Sequence, residues 1–171
     1  MKTYYVDFEF TKFEGDIVSI ALVPSLKSEY TEEFYCAYSE KELNAEASSA
    51  AGLIDPWVVK NVFPIIDVPN AISNRIVGSR KQFKTELQDS LYLFFRRNNP
   101  NYEPIRIIAD WFEDIQLFNK LLITGPGVCM NIAPEAHFIV TRTDTYPTDL
   151  PGAVQHNALW DARVLKHSIE R

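Results

Sequence analysis

The sequence predicts an α/β domain with a mixed central sheet, its first three strands antiparallel, flanked by helices. Three observations lead there. Apolar runs at 4–10, 17–23 and 30–38 are joined by connections too short for a crossover, as in an antiparallel meander. From residue 55 onward, helical periodicities alternate with short apolar runs. The stretch 79–98 carries Phe83, Leu87, Leu91 and Phe94 at helical spacing behind a Ser79-x-x-Gln82 capping box. The chain has 171 residues, enough for one domain (1–171) with a proper core.

Composition narrows the class. With 46% hydrophobic and 23% charged residues the chain is of ordinary globular type. No apolar run is long enough to cross a membrane. Met1-Lys2-Thr3 leads straight into a strand interrupted by acids, so no secretory apolar region is expected. Cys36 and Cys129 form neither a disulfide framework nor a metal-ligand spacing. A reduced, cytoplasmic protein is expected. The net charge of −6 argues against a broad duplex-binding surface, whose affinity would come from neutralising phosphates.

The first strand is Tyr4-Tyr5-Val6-Asp7-Phe8-Glu9-Phe10, rich in aromatic and β-branched residues. Alternation puts Tyr4, Val6, Phe8 and Phe10 on one face and Tyr5, Asp7 and Glu9 on the other. After a polar turn containing Gly15, Ile17 to Val23 forms the second strand, ended by Pro24. The third is read over 30–38. A short helix and a loop are expected within 39–52. Asp55-Pro56 then opens a helix, with Asp as N-cap and Pro at its first position. Trp57, Val58, Val62 and Phe63 are expected to face inward, and Pro64 to end that helix. Residues 67–78 read as a loop.

Beyond the long helix, 105–110 is a short apolar strand, 112–123 a helix and Gly125-Pro126-Gly127 its stop. A strand over 137–141, a Pro-containing loop over 143–152 and a last helix over 157–169 complete the chain. Ala158, Ala162, Leu165 and Ile169 share one face of that helix.

The acids fall at particular places in this scheme. Asp7 and Glu9 lie side by side on an apolar strand, where unpaired carboxylates need a metal ion or a basic partner. Asp110 ends a strand, and Asp114 lies in the first turn of the next helix. Asp161 borders the packed face of the last helix, and His156 precedes it by five residues. Singly, each has an ordinary explanation: an exposed acidic strand face, a helix-dipole acid at Asp114, a loop histidine, a solvent pair of Asp161 with Arg163 or Lys166. Together they suit two-metal phosphodiester cleavage, in which two divalent ions clamp the attacking and leaving oxygens. Carboxylates suit hard ions such as Mg2+, and a histidine can take the proton of the attacking water.

Asp7-x-Glu9, Asp114 and His156-x4-Asp161 resemble the three motifs of the DEDDh 3′–5′ exonucleases, a family of ribonuclease H-like fold. Their middle motif often reads Asn-x-x-aromatic-Asp. Here Asp110 stands where Asn is common and Glu113 where an aromatic is common, which leaves Asp110 and Asp114 both open as ligand, Asp114 being favoured. Within that superfamily the chain resembles the small 3′–5′ exoribonucleases first described in mycobacteria. The likeness is carried by the run His156-Asn157-Ala158-Leu159-Trp160-Asp161-Ala162-Arg163 and by Trp57-Val58, Val62-x-Pro64 and Ser79-Arg80-x-Gln82. A more distant similarity is to the T-even phage exodeoxyribonuclease.

The resemblance implies two Mg2+ or Mn2+ ions, with Asp7 bridging both, Glu9 and Asp161 completing one site and Asp114 supporting the other. His156 would be the general base. Phe10, Thr11 and Arg80 would touch substrate; for Phe10 this requires a bulge or bend at the strand end. Arg75, Lys81 and Lys84 complete the densest basic stretch, of which Lys81 and Lys84 are read as a solvated helix face. Trp57 and Trp160 are read as core or interface residues. The implied partner is a single-stranded 3′ end, RNA in preference to DNA, and a homodimer is consistent with the family. The alternatives are a phage-type exodeoxyribonuclease, a catalytically silent nucleic-acid-binding module, and an endonuclease or other phosphohydrolase on the same fold.

Overall fold

The computed structural model describes residues 1–26, 32–49, 52–66 and 74–171, the last from the backbone alone at 74 and 75. Six strands form one mixed sheet. They are β1 (Lys2–Phe10), β2 (Ile17–Pro24), β3 (Phe34–Tyr38), β4 (Asn74–Ile76), β5 (Ile105–Ala109) and β8 (Ala136–Val140), in the order β4-β3-β2-β1-β5-β8. Strand β2 runs antiparallel to both β1 and β3, as the short connections require. The β3–β4, β1–β5 and β5–β8 pairs are parallel. The remaining strands, β6 (Ile123–Gly125) and β7 (Val128–Cys129), form a small hairpin turned by Pro126-Gly127.

Helices cover both faces of this sheet. They are α1 (Glu40–Ala47), α2 (Pro56–Asn61), α3 (Arg80–Asn98), α4 (Phe112–Leu122) and α5 (Ala158–Glu170). Neighbouring residues of β1 show which helix lies where. Tyr4 packs edge-on against Phe94 and Phe95 of α3, at 5.8 and 5.3 Å between ring centres. Tyr5, facing the other way, donates its hydroxyl to Glu170 of α5. Phe34, Phe83, Leu87, Leu91 and Phe118 extend the core on the α3 side. Among the described residues, no helix is long and apolar enough to cross a membrane.

Local chemistry sets the helix starts. Asp55 accepts from the Trp57 N–H at α2, with Pro56 in the first turn. Ser79 accepts from the Gln82 N–H at α3. The Gln82 amide nitrogen donates to Glu86 at 2.9 Å, while its oxygen lies back toward Gly78. Asn157 caps α5 through the Trp160 N–H.

Several boundaries differ from expectation. Strand β3 begins at Phe34: Glu32 and Glu33 leave the ladder to meet Arg97 and Arg163, and residues 30 and 31 lie outside the described set. Helix α2 ends at Asn61, and Pro64 sits inside a following 3-10 turn, Phe63–Ile65. Within the segment read as a loop, 67–73 lie outside the described residues and Asn74–Ile76 add strand β4. Val58, Val62 and Phe63 are buried as expected, but Trp57 is half exposed.

The parting of β1 from β5 positions the site. Their ladder runs only from Lys2–Ile105 to Tyr5–Ile108. Beyond Tyr5, β1 continues against β2 alone, so its edge toward β5 opens at the carboxyl ends of two parallel strands. Such ends are where α/β sheets place their ligands.

Candidate metal centre

The opened fork forms a cleft of about 640 Å3. Asp7, Glu9, Asp110, Asp114, His156 and Asp161, drawn from three separate stretches of the chain, all line it. Two sets of ligand atoms stand out. Carboxylate oxygens of Asp7, Asp110 and Asp114 lie within 4.8 Å of one another, and so do atoms of Glu9, His156 and Asp161. Asp110 and Asp114 thus both face Asp7.

The polar partners of these groups are few. Asp114 accepts the Phe8 N–H, which the parting of β1 and β5 leaves free of a strand partner. One oxygen of Asp7 and one of Asp114 are buried with no hydrogen-bond partner. Asp161 is better held: the Tyr146 hydroxyl donates to Oδ1 at 2.7 Å and the His156 N–H to Oδ2 at 2.9 Å. To make that second contact the backbone at His156 adopts a left-handed conformation, φ 67°, uncommon for a residue with a side chain. Arg163 pairs with Glu33 at 2.5 Å, so the ordinary alternative of a solvent pair between it and Asp161 does not form.

Electrostatics follow from this crowding. Burial, then the charges of Asp114, Asp161, Glu9 and Asp110, hold Asp7 well above the usual carboxylate range. Glu9 is raised well above its ordinary value by burial and then by Asp161 and Asp114. Burial and Asp110 push Asp114 up to about 8, against the Phe8 hydrogen bond. Asp161 rises to about 7 through burial, against its bonds from Tyr146 and His156. Asp110 is raised by burial and restrained by its own backbone N–H and by Arg142. Burial lowers His156, favouring the neutral imidazole. This is the signature of acids gathered without a counter-charge: like charges and desolvation both favour the protonated form. A divalent cation reverses that balance. Carboxylate oxygens predominate among the donors, a chemistry that fits hard divalent ions such as Mg2+ or Mn2+.

The three expected substrate contacts fare differently. Phe10 does line the cleft. The pairing of β1 with β2 slips between Glu9 and Phe10, from Glu9–Ser19 to Phe10–Ile17, so Val18 stands opposite no residue. The extra residue of this bulge belongs to β2, beside the strand end that carries Phe10. Thr11 is not in the cleft wall. It is buried inside the 11–16 loop, its Oγ1 accepting from the Asp16 N–H and its carbonyl from the Asp55 N–H. Arg80 is also elsewhere. Its guanidinium holds Glu46 at 2.6 Å, donates to the Ile17 carbonyl at 2.6 Å and lies 4.2 Å over the Tyr38 ring. These partners are 34 and more residues distant in the chain, beyond the reach of a local pattern. Arg75's side chain lies outside the described residues.

Other residues in the wall escaped the sequence reading: Lys12, Phe13, Trp57, Trp111, Tyr146 and Gln155. Trp57 stands perpendicular to the His156 ring at 4.8 Å, not in the core. Trp160 is partly buried and lines a different groove, beside Arg163 and Lys166. Glu113 has a structural use. It is buried and accepts the Glu14 N–H at 2.7 Å, tying the 11–16 loop to α4. Comparison of the chain with protein-family models, with curated proteins and with solved structures finds no match.

Proposed function

We propose that the chain is a metal-dependent 3′–5′ exonuclease on a ribonuclease H-like fold, releasing nucleoside monophosphates from single-stranded 3′ ends. The observation that carries this reading is the meeting of five acids and a histidine in one open cleft, two of their carboxylate oxygens buried and unpartnered.

Glu9 and Asp161 would hold one ion and Asp110 and Asp114 the other, with Asp7 between them. When bound, such ions supply charge neutralisation at the attacking and leaving oxygens. The chain's own residues do the rest. The Tyr146 and His156 hydrogen bonds fix both oxygens of Asp161. His156, neutral near pH 7, accepts at a ring nitrogen the proton of the water that attacks phosphorus. The bond from phosphorus to the 3′-oxygen of the preceding nucleotide breaks, and that oxygen takes a proton from solvent. Phe10, beside Glu9, offers a ring to the terminal nucleotide. With Thr11 buried away from the cleft, the preference for RNA rests on the resemblance to the exoribonucleases.

The test is digestion of matched 5′-labelled RNA and DNA strands with Mg2+ or Mn2+. A ladder shrinking from the 3′ end, faster on RNA and absent in chelator, is expected. Faster loss of DNA would support the exodeoxyribonuclease reading instead. Cutting within a circular strand would make the chain an endonuclease, and binding without cleavage would make it a silent module.

A further inference from the structure

Seven carboxylates line the cleft, and Lys12 is the only lysine or arginine among the described residues that does so. Its side chain is exposed and has no ion-pair partner among those residues. Arg142 is otherwise engaged, over the Trp111 ring and beside Asp110. The acids suit metal ions. A lone cation held among them suits an anion that the metals do not reach.

The loop that carries Lys12 is fastened at both ends and in its middle. The Thr11 N–H donates to the Asp16 carbonyl at 2.8 Å, and the Asp16 N–H to Thr11 Oγ1 at 3.0 Å. The Gly15 N–H donates to the Lys12 carbonyl at 2.7 Å. A Cβ at Gly15 would come within 2.4 Å of Thr11 Oγ1 and 2.6 Å of that carbonyl, so the turn excludes any side chain. Glu14 takes a left-handed backbone, φ 55°. Such a conformation costs about 1–3 kcal/mol and persists only where the surroundings impose it. Glu113 helps impose it: its Oε1 accepts the Glu14 N–H from 99 residues away in the chain. Glu113 is 5% exposed and its other oxygen has no partner. Burying a carboxylate for one hydrogen bond is costly, and the loop is what that bond holds.

We propose that Glu113 is a positioning residue for Lys12. Through the Glu14 N–H it sets the 11–16 loop so that the Lys12 ammonium meets the first phosphate on the 5′ side of the scissile one. The place of the scissile phosphate rests on the nuclease reading. Metal ions neutralise charge at that phosphate, which leaves its neighbour as the anion in need of a cation. A contact of this kind fixes the register of the strand and reads no base.

The test is equilibrium binding, with Ca2+ in place of Mg2+ to hold back turnover. A 5′-labelled ribotrinucleotide is compared with one whose first linkage is an uncharged methylphosphonate. Lys12→Met should weaken the first about 2–5-fold at about 0.1 M salt. It should also reduce the log–log salt slope by about 0.7 and leave the second compound unaffected. Lys12→Arg should restore both. Glu113→Ala should reproduce the Lys12→Met loss, add nothing to it in the double variant, and raise KM with kcat kept. Glu113→Gln keeps the acceptor for the Glu14 N–H and should bind as the wild type does. If it binds as weakly as the Ala variant, Glu113 acts through its charge on Asp114 and the proposal fails. Where Glu113→Ala does not fold, hydrogen exchange decides: a fast Glu14 amide in the wild type or in Glu113→Gln would equally sink it. An unchanged salt slope in Lys12→Met would overturn the proposal even in a protein that digests strands. The expected losses in a protein that cleaves nothing would uphold the phosphate contact and remove the nuclease reading.

Discussion

The Tyr146 hydroxyl donates to Oδ1 of Asp161 at 2.7 Å, fastening the Pro-containing loop to the first turn of α5. The bond orients a carboxylate that would otherwise rotate about its own side chain. Tyr146→Phe removes the donor and little volume. Outer partners of metal ligands are worth about 10–100-fold in affinity or activity, so Mn2+ binding measured by calorimetry should weaken by that factor in one of two sites. Unchanged affinity at both sites would mean that Asp161 is not a ligand.

Stability without metal should fall as pH rises. Carboxylates raised in the folded state bind protons that the unfolded chain has already lost, so their contribution is complete below the ordinary carboxylate pKa and is lost as pH rises through the folded values. Asp161 and Asp114 place the upper end of that window at about 7 to about 8. In chelator, the melting temperature should therefore be higher at pH 5 than at pH 8. Asp7→Asn should flatten the difference by removing one of the crowded charges, and Mn2+ should restore the wild type at pH 8. A metal-free protein more stable at pH 8 than at pH 5 would contradict the crowding described for the cleft.

His156→Ala should slow turnover by about 10²–10⁴-fold, the usual size of a general-base contribution, and leave both metal sites occupied. The ring also lies among the atoms of the Glu9 and Asp161 set, which gives the experiment its second arm. Loss of one metal site in the calorimeter would make His156 a ligand and leave the base to be found elsewhere.

Arg80→Ala should destabilise the protein without altering the KM for an oligonucleotide. The substitution strands Glu46 and the Ile17 carbonyl, and hydrogen bonds to charged groups are worth about 1.5–3 kcal/mol. Chemical denaturation gives the stability and steady-state kinetics the KM. A raised KM at unchanged stability would return Arg80 to the substrate.

Much of this arrangement was legible in the residue pattern. Period-2 alternation set Asp7 and Glu9 on one face of β1, and caps at Asp55 and Ser79 located two helices, because such signals are local. What the pattern missed depends on distant contacts. Arg80 looked free because Glu46 is 34 residues away. Tyr146 sits in a loop with no period, fifteen residues before its partner. Trp57 was assigned to the core on hydrophobicity, although its neighbour Val58 takes the inward position and leaves the indole on the lip. Strand β4, with three residues, is too short for any alternation to register.

Val18 separates two kinds of change that the chain can undergo. It stands opposite no residue of β1, and its buried side chain admits other aliphatic residues of similar bulk. A change of length is different. Deleting this one position would restore regular pairing to the end of β1 and shift Ile17 and the residues before it by one, while Asp7 and Glu9, which pair with Ala21 and Ser19 on the near side of the slip, keep their register. The acids would keep their places, and the change would fall on Ile17 and on the 11–16 loop that joins the two strands. At this point in the chain, in-frame loss of a single codon alters how the connecting loop is held and leaves the acids in register.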